Sequence, residues 1–246
     1  MTTKGERRRT QTVLLDLDDT LLDNDMQRFL PPYFAALGRR LAHWVAPDEL
    51  MPMLLTSIRA MMANHDPQVT NQQAFNAHFF SALGHSELEM RPIIRAFYEE
   101  EFPVLREYTR PRPQARPLVE ALFERGCQVV VATNPMFPRR AIEHRLEWAG
   151  VGDLPFTLIT SYENAHFCKP NPRYYQEILE HLDCRPHEAL MIGDDWENDI
   201  QPALQVGLHT FWISEGNVDE VAYCGLSGSL AACLEWVRTE ANLPGE

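Results

Sequence analysis

Ten residues near the start of the chain constrain it most: Val13-Leu14-Leu15-Asp16-Leu17-Asp18-Asp19-Thr20-Leu21-Leu22, a short apolar run ending in carboxylates and a hydroxyl. A run this short and this apolar predicts a buried strand of a parallel sheet, and such sheets bind ligands just past the carboxyl ends of their strands. Asp16 and Asp18 would stand there. Two carboxylates held together repel, so the arrangement is costly unless a cation or a proton offsets the charge. With oxygen donors and no His or Cys alongside, the cation expected is hard, magnesium in preference to zinc. One aspartate near such a cation can attack phosphorus, while the other exchanges a proton with the leaving oxygen and with water. Alone, D-x-D-x-T reads equally well as an Asp-rich turn that caps a helix.

The rest of the chain narrows the choice. Its 246 residues are 45% hydrophobic, enough for a sizeable core in one domain or two. A formal net charge of -13 argues against nucleic acid or an anionic membrane as partner, so a phosphate ligand would need local cations. The basic run Arg7-Arg8-Arg9 is followed by no signal-peptide core, and no segment has the apolar length to span a bilayer. The five cysteines, Cys127, Cys168, Cys184, Cys224 and Cys233, are odd in number and lack C-x-x-C spacing, so a reducing cytoplasm is expected, with neither a disulfide framework nor a zinc site.

Between Asn24 and Tyr108 β-branched residues are sparse and large apolar residues recur at helical spacing. Four stripes follow: Leu30 to Val45, Leu50 to Met62, Phe75 to Leu83, and a less regular one from Ile94 to Leu105. They predict four helices in a small bundle. Pro31-Pro32 implies a kink or a late start in the first, and Pro92 sits awkwardly behind the capping box Ser86-x-x-Glu89. Arg28, Arg59 and Arg95 stay open between substrate contacts and solvated helix faces. Arg110-Pro111-Arg112-Pro113 marks a linker, after which helix and strand alternate. Strands are expected at 128–133, 156–160, 189–193 and 208–213, with helices at 114–125, 139–148, 171–182 and 200–206 and a last one through Leu230, Leu234 and Val237. The economical architecture is a doubly wound, Rossmann-like parallel α/β sheet.

The later strands supply further groups. Thr133-Asn134 ends one strand, Lys169 lies in Cys168-Lys169-Pro170, and Gly193-Asp194-Asp195-Trp196-Glu197-Asn198-Asp199 ends another. A hydroxyl and an amide can bind phosphate oxygens, a lysine can neutralise them, and further carboxylates can complete a magnesium shell. Singly, these are a turn, a loop lysine and a helix cap; together and in this order they supply what phosphoryl transfer needs.

These motifs resemble those of the haloacid dehalogenase-like hydrolase superfamily over nearly the whole chain, from Val13 to about Val237. D-L-D-D-T is similar to the family's first motif, Thr133 to its second, Lys169 to its third and G-D-D-W-E-N-D to its fourth. The resemblance implies a catalytic core at 1–22 and 110–246, with a helical C1-type cap at 23–109. It makes Asp16 the nucleophile and a metal ligand, and Asp18 the general acid/base with its main-chain carbonyl on the metal. Thr133 and Lys169 would hold the phosphoryl group, with Asn134 assisting, and Asp194 would complete the ligands. Asp199 is expected to orient Lys169 or a metal-bound water, with Asp195 a further candidate beside it. Because family members that cleave carbon–halogen bonds lack an aspartate like Asp18, the expected activity is a magnesium-dependent phosphatase acting on a small phosphorylated metabolite through an aspartyl-phosphate. The alternatives are a phosphomutase or other phosphotransferase, and a non-catalytic binding protein. Oligomeric state is open.

Overall fold

The computed structural model describes residues 11–215 and 225–240. Arg7-Arg8-Arg9 and Cys224 lie outside the described residues; Cys168 and Cys233 are buried free thiols.

The opening apolar run forms β1 (Thr12–Leu15), buried along its whole length. Side chains alternate faces along a strand. Val13 and Leu15 therefore enter the larger hydrophobic core, and Leu14 the smaller one on the opposite face. The chain turns at Asp19, whose φ of 58° is a left-handed conformation that aspartate tolerates better than most residues. It then forms β2 (Leu22–Asp23).

Four α-helices follow: α1 (Met26–Leu41), α2 (Pro47–Met62), α3 (Asn71–Leu83) and α4 (Glu87–Ala96). The Asp25 carboxylate accepts from Gln27 N–H at 2.8 Å, so α1 starts before Pro31-Pro32 and contains both. The carbonyls those prolines leave without a helical donor belong to exposed Gln27 and Arg28, where water can serve. The capping box Ser86/Glu89 opens α4 with Pro92 inside it. The irregular fourth stripe has a structural reason: after Ala96 the chain continues as a π-helix (Phe97–Glu101) and then a 3₁₀-helix (Phe102–Tyr108). The segment therefore departs from a regular four-helix bundle. Its α2 packs on α3, and the 3₁₀-helix packs on α1.

Within the expected linker 110–113 the chain forms a short strand, β3 (Arg110–Pro111), antiparallel to β2. Proline is admissible there because this two-residue ribbon has free edges. Beyond it come α5 (Ala115–Glu124), β4 (Gln128–Val131), α6 (Arg139–Trp148), β5 (Leu158–Ile159), α7 (Pro172–His181), β6 (Ala189–Gly193), α8 (Gln201–Val206), β7 (His209–Ile213), β8 (Leu226–Gly228) and α9 (Leu230–Thr239). The main sheet has the order β5-β4-β1-β6-β7-β8, with every pairing parallel. Apolar patterning points to five of these six strands; β8, Leu-Ser-Gly, is too short to show a pattern.

Packing ties the helical segment to the sheet layer. Phe102 of the 3₁₀-helix stacks on Trp148 of α6 at 5.5 Å, and Phe29 of α1 meets Phe102 edge-on at 5.9 Å. Among the described residues no helix is long and apolar enough to cross a membrane.

Candidate functional site

β4, β1 and β6 are neighbours at the centre of the sheet, so the residues just past their carboxyl ends meet. Asp16 follows β1, Thr133 lies two residues past β4, and Asp194 follows β6. Asp16 N–H donates to Ile192 C=O at 3.0 Å, which continues the β1–β6 ladder past the strand and fixes where the carboxylate points. Lys169, 2% exposed, comes from the loop before α7. Its Nζ donates to Asp16 Oδ1 at 2.7 Å and to Asp199 Oδ1 at 2.6 Å.

One ligand atom each from Asp16, Asp194 and Asp199 lies within 4.8 Å of the others. Three carboxylates against one lysine leave two negative charges, the charge of one divalent cation, and the donor set is all oxygen. These residues fit a hard divalent ion. Burial pushes the Asp194 carboxyl up to about 8, reinforced by Asp16 and Asp199, although the Thr20 hydroxyl donates to Asp194 Oδ1 at 2.9 Å. Burial also raises Asp199, because one shared lysine cannot neutralise two carboxylates. Burial alone would lower Lys169, but the Asp16 and Asp199 charges hold it well above its ordinary value.

Gly193 makes this approach possible. A Cβ there would fall inside the Asp199 carboxylate. Asp195, the further candidate beside Asp199, spends its carboxylate on a helix end. Its Oδ1 accepts from Glu197 N–H at 2.9 Å and Asn198 N–H at 3.0 Å, and its Oδ2 accepts from the Asn198 amide, so it caps the short π-helix Trp196–Ile200. It is not one of the three converging carboxylates.

Asp18 also stands outside that cluster. Asn24 Nδ2 donates to its Oδ1 at 2.7 Å, and Arg145 Nη1 to its Oδ2 at 2.5 Å. Burial raises the Asp18 carboxyl, Arg145 opposes the rise, and the Asp16 charge adds to it. Arg145 is 1% exposed, its guanidinium lies 4.7 Å from the Phe137 ring centroid, and among the described residues its Nη2 has no hydrogen-bond partner. Sequence reasoning missed this arginine, yet a signal was present. Arg145 falls on the helix face of Ala141, Ile142, Leu146 and Ala149, all buried, and a cation on an apolar face needs an anion.

Thr133 is buried, with its carbonyl accepting from Thr160 Oγ1 and Tyr174 OH at 2.9 Å each. Asn134 carries a buried Oδ1 without a partner among the described residues. Arg28 and Arg59 are exposed, and exposed Arg95 pairs with Glu99 at 2.8 Å.

The sequence model of one family, the haloacid dehalogenase-like hydrolases, matches residues 10–207. The chain belongs to that family. Among its hydrolase relatives, the chain is 26% identical over 221 residues to the glyceraldehyde 3-phosphate phosphatase of Pyrococcus furiosus, covering 87% of this chain and 85% of the relative. It is 24% identical over 206 residues to the pyrophosphatase PpaX of Bacillus cereus, covering 84% of each. Of solved structures, a HAD phosphatase from Thermococcus onnurineus superposes with a TM-score of 0.55 at 22% identity, covering 93% of this chain and 96% of that one. A dehalogenase superposes almost as well, with a TM-score of 0.54 at 18% identity and coverages of 96% and 100%. The hydrolase fold is common to both chemistries, so the choice between them rests on side chains.

Proposed function

We propose that this hydrolase is a magnesium-dependent phosphatase that cleaves a small phosphorylated metabolite through an aspartyl-phosphate on Asp16. The observation that carries the reading is Lys169 Nζ between the Asp16 and Asp199 carboxylates, with Asp194 beside them. Asp16, Asp194 and the main-chain carbonyl of Asp18 would hold magnesium, which supplies charge neutralisation at phosphorus when bound. Asp16 attacks phosphorus in line, and Asp18 gives its proton to the departing alcohol oxygen. Water then attacks the aspartyl-phosphate as Asp18 takes a proton back. Lys169 neutralises the phosphoryl oxygens and is steadied by Asp199, while Thr133 and Asn134 bind those oxygens from the loop after the neighbouring strand β4. The presence of Asp18, kept near its charge partner Arg145, favours phosphate ester cleavage over dehalogenation.

In the same reading, residues 23–109 act as a cap over a core of 1–22 and 110–246, closing on the ribbon formed by β2 and β3. The test is release of inorganic phosphate from a panel of phosphorylated metabolites, with and without magnesium, by the wild type and Asp16→Asn. Magnesium-dependent release that Asp16→Asn abolishes supports the reading. Transfer to a hydroxyl acceptor in preference to water would replace it with a phosphotransferase, and binding without turnover with a binding protein.

A further inference from the structure

A cavity of about 590 Å³ lies between the helical segment and the loop after β4. That is within the usual range for a small-molecule site. Its walls are mostly apolar: Leu30, Leu37, Leu54, Ile58, Phe75 and Phe79 line it. One end adjoins the residues that hold Asp18. Met26, on one wall, is two residues from Asn24, which donates to Asp18. Phe137, on another, lies against the Arg145 guanidinium that binds Asp18 from the other side. Met136 and Phe137 also follow Thr133-Asn134 in the same loop, one proline further on.

The polar groups of the cavity say what it can take. Tyr33 and Tyr98 share one hydrogen bond, OH to OH at 2.9 Å. Two hydroxyls bring two hydrogens, so that bond leaves one hydrogen to donate to a ligand oxygen, and the Tyr33 ring lies 5.5 Å from that of Phe137. The lining arginines are already matched with carboxylates: Arg91 with Glu87 at 2.8 Å, Arg95 with Glu99 at 2.8 Å, and Arg140 with Glu143 at 3.4 Å. A second anionic group on the ligand would meet a carboxylate beside each cation; Gln72 and Tyr162 pair with each other at 3.4 Å, and beyond them and Asn76 a polyhydroxylated body would lose its water to leucine and phenylalanine.

We infer that this cavity receives the alcohol half of the substrate and selects a phosphate monoester with an extended apolar body, aliphatic or aromatic, over a sugar phosphate or a bisphosphate. The assignment rests on the phosphatase reading. The P–O bond to the alcohol breaks as the bond to Asp16 forms, the proton of Asp18 goes to the alcohol oxygen, and water restores both. The sum is ester plus water to alcohol plus phosphate.

The experiment is a series of n-alkyl phosphates from ethyl to octyl, with glucose 6-phosphate as the polar control, assayed for phosphate release with magnesium. Each methylene buried is worth roughly threefold in kcat/KM, so burying only two of the six extra methylenes of octyl phosphate should raise it about tenfold over ethyl phosphate. Ile58→Trp, which fills the cavity, should bring the octyl-to-ethyl ratio towards one. Ile94→Trp, on the α4 wall, does the same if Ile58→Trp fails to fold. A flat chain-length series, a preference for glucose 6-phosphate, or an unchanged ratio in a folded filled variant would overturn the assignment. If no ester is cleaved, calorimetry of ethyl and octyl phosphate binding to Asp16→Asn decides. Tighter octyl binding keeps the apolar site while the phosphatase reading falls, and equal binding removes the site as well.

Discussion

Arg145 Nη1 lies 2.5 Å from Asp18 Oδ2, a cation from α6 reaching the loop after β1 across 127 residues of chain. Arg145 is buried and Asp18 half-buried, so removing the arginine strands a partly shielded carboxylate at a cost below the roughly 3–5 kcal/mol of a fully buried pair. Arg145→Ala should therefore lower the melting temperature clearly, and adding Asp18→Asn to it should cost less than the two single changes summed.

The same substitution has a kinetic sign. Burial already raises the Asp18 carboxyl and Arg145 opposes that rise, so without Arg145 the group stays protonated to higher pH. If Asp18 is the acid of the first step, activity falls as pH climbs through its pKa. The alkaline limb of kcat/KM should then move upward in Arg145→Ala, whereas a purely structural role would lower the profile without moving it.

Gly193→Ala should be severe for its size. The added methyl would meet the Asp199 carboxylate, so Asp199 must leave and Lys169 loses one of its two anchors. Loss of phosphatase activity, with a smaller effect from alanine at an unencumbered site such as Gly38, checks this. The Cβ at Gly38 would find only Leu50 at an ordinary 3.8 Å.

Stability should fall with pH in the absence of divalent ions. Asp194 is raised from its ordinary value to about 8 and Asp199 is raised as well, so between about pH 4 and 8 the folded chain holds protons that the unfolded chain has released. That contribution is complete below the unfolded value and is lost as pH rises through the folded one. Melting temperatures in EDTA should drop from pH 5 to 8, less steeply in Asp194→Asn. Magnesium should lift the pH 8 value most.

Asp195 makes a contrasting case. Its carboxylate caps the π-helix Trp196–Ile200, so Asp195→Ala should cost about 1 kcal/mol of stability and leave kcat close to wild type. A collapse of kcat with unchanged melting temperature would return Asp195 to the site.

The parts of the molecule legible in sequence are those where local pattern and tertiary role coincide. β1, β4 and β6 read as buried strands because parallel strands are apolar throughout, and their polar ends then converge by topology. Asp16 and Asp194, just past β1 and β6, were legible for that reason, whereas Lys169 in a loop and Asp199 in the π-helix drew their expected roles from the family resemblance. What escaped was long-range or irregular. The pairing of Arg145 with Asp18 joins two elements that no local pattern relates. The π-helix and 3₁₀-helix after Ala96 break the 3.6-residue period on which helix reading depends. The β2–β3 ribbon is two residues long on each side, and one of those residues is a proline that reads as a breaker.

The most direct test of the central claim is to mix wild-type enzyme with magnesium and its best phosphate ester, quench in acid within a turnover, and map the peptides by mass. The account predicts one phosphoryl group on the peptide from β1, placed on Asp16 and missing in Asp16→Asn. Phosphate released in the same reaction with that peptide unmodified throughout, or with the phosphoryl group on another residue, would contradict it.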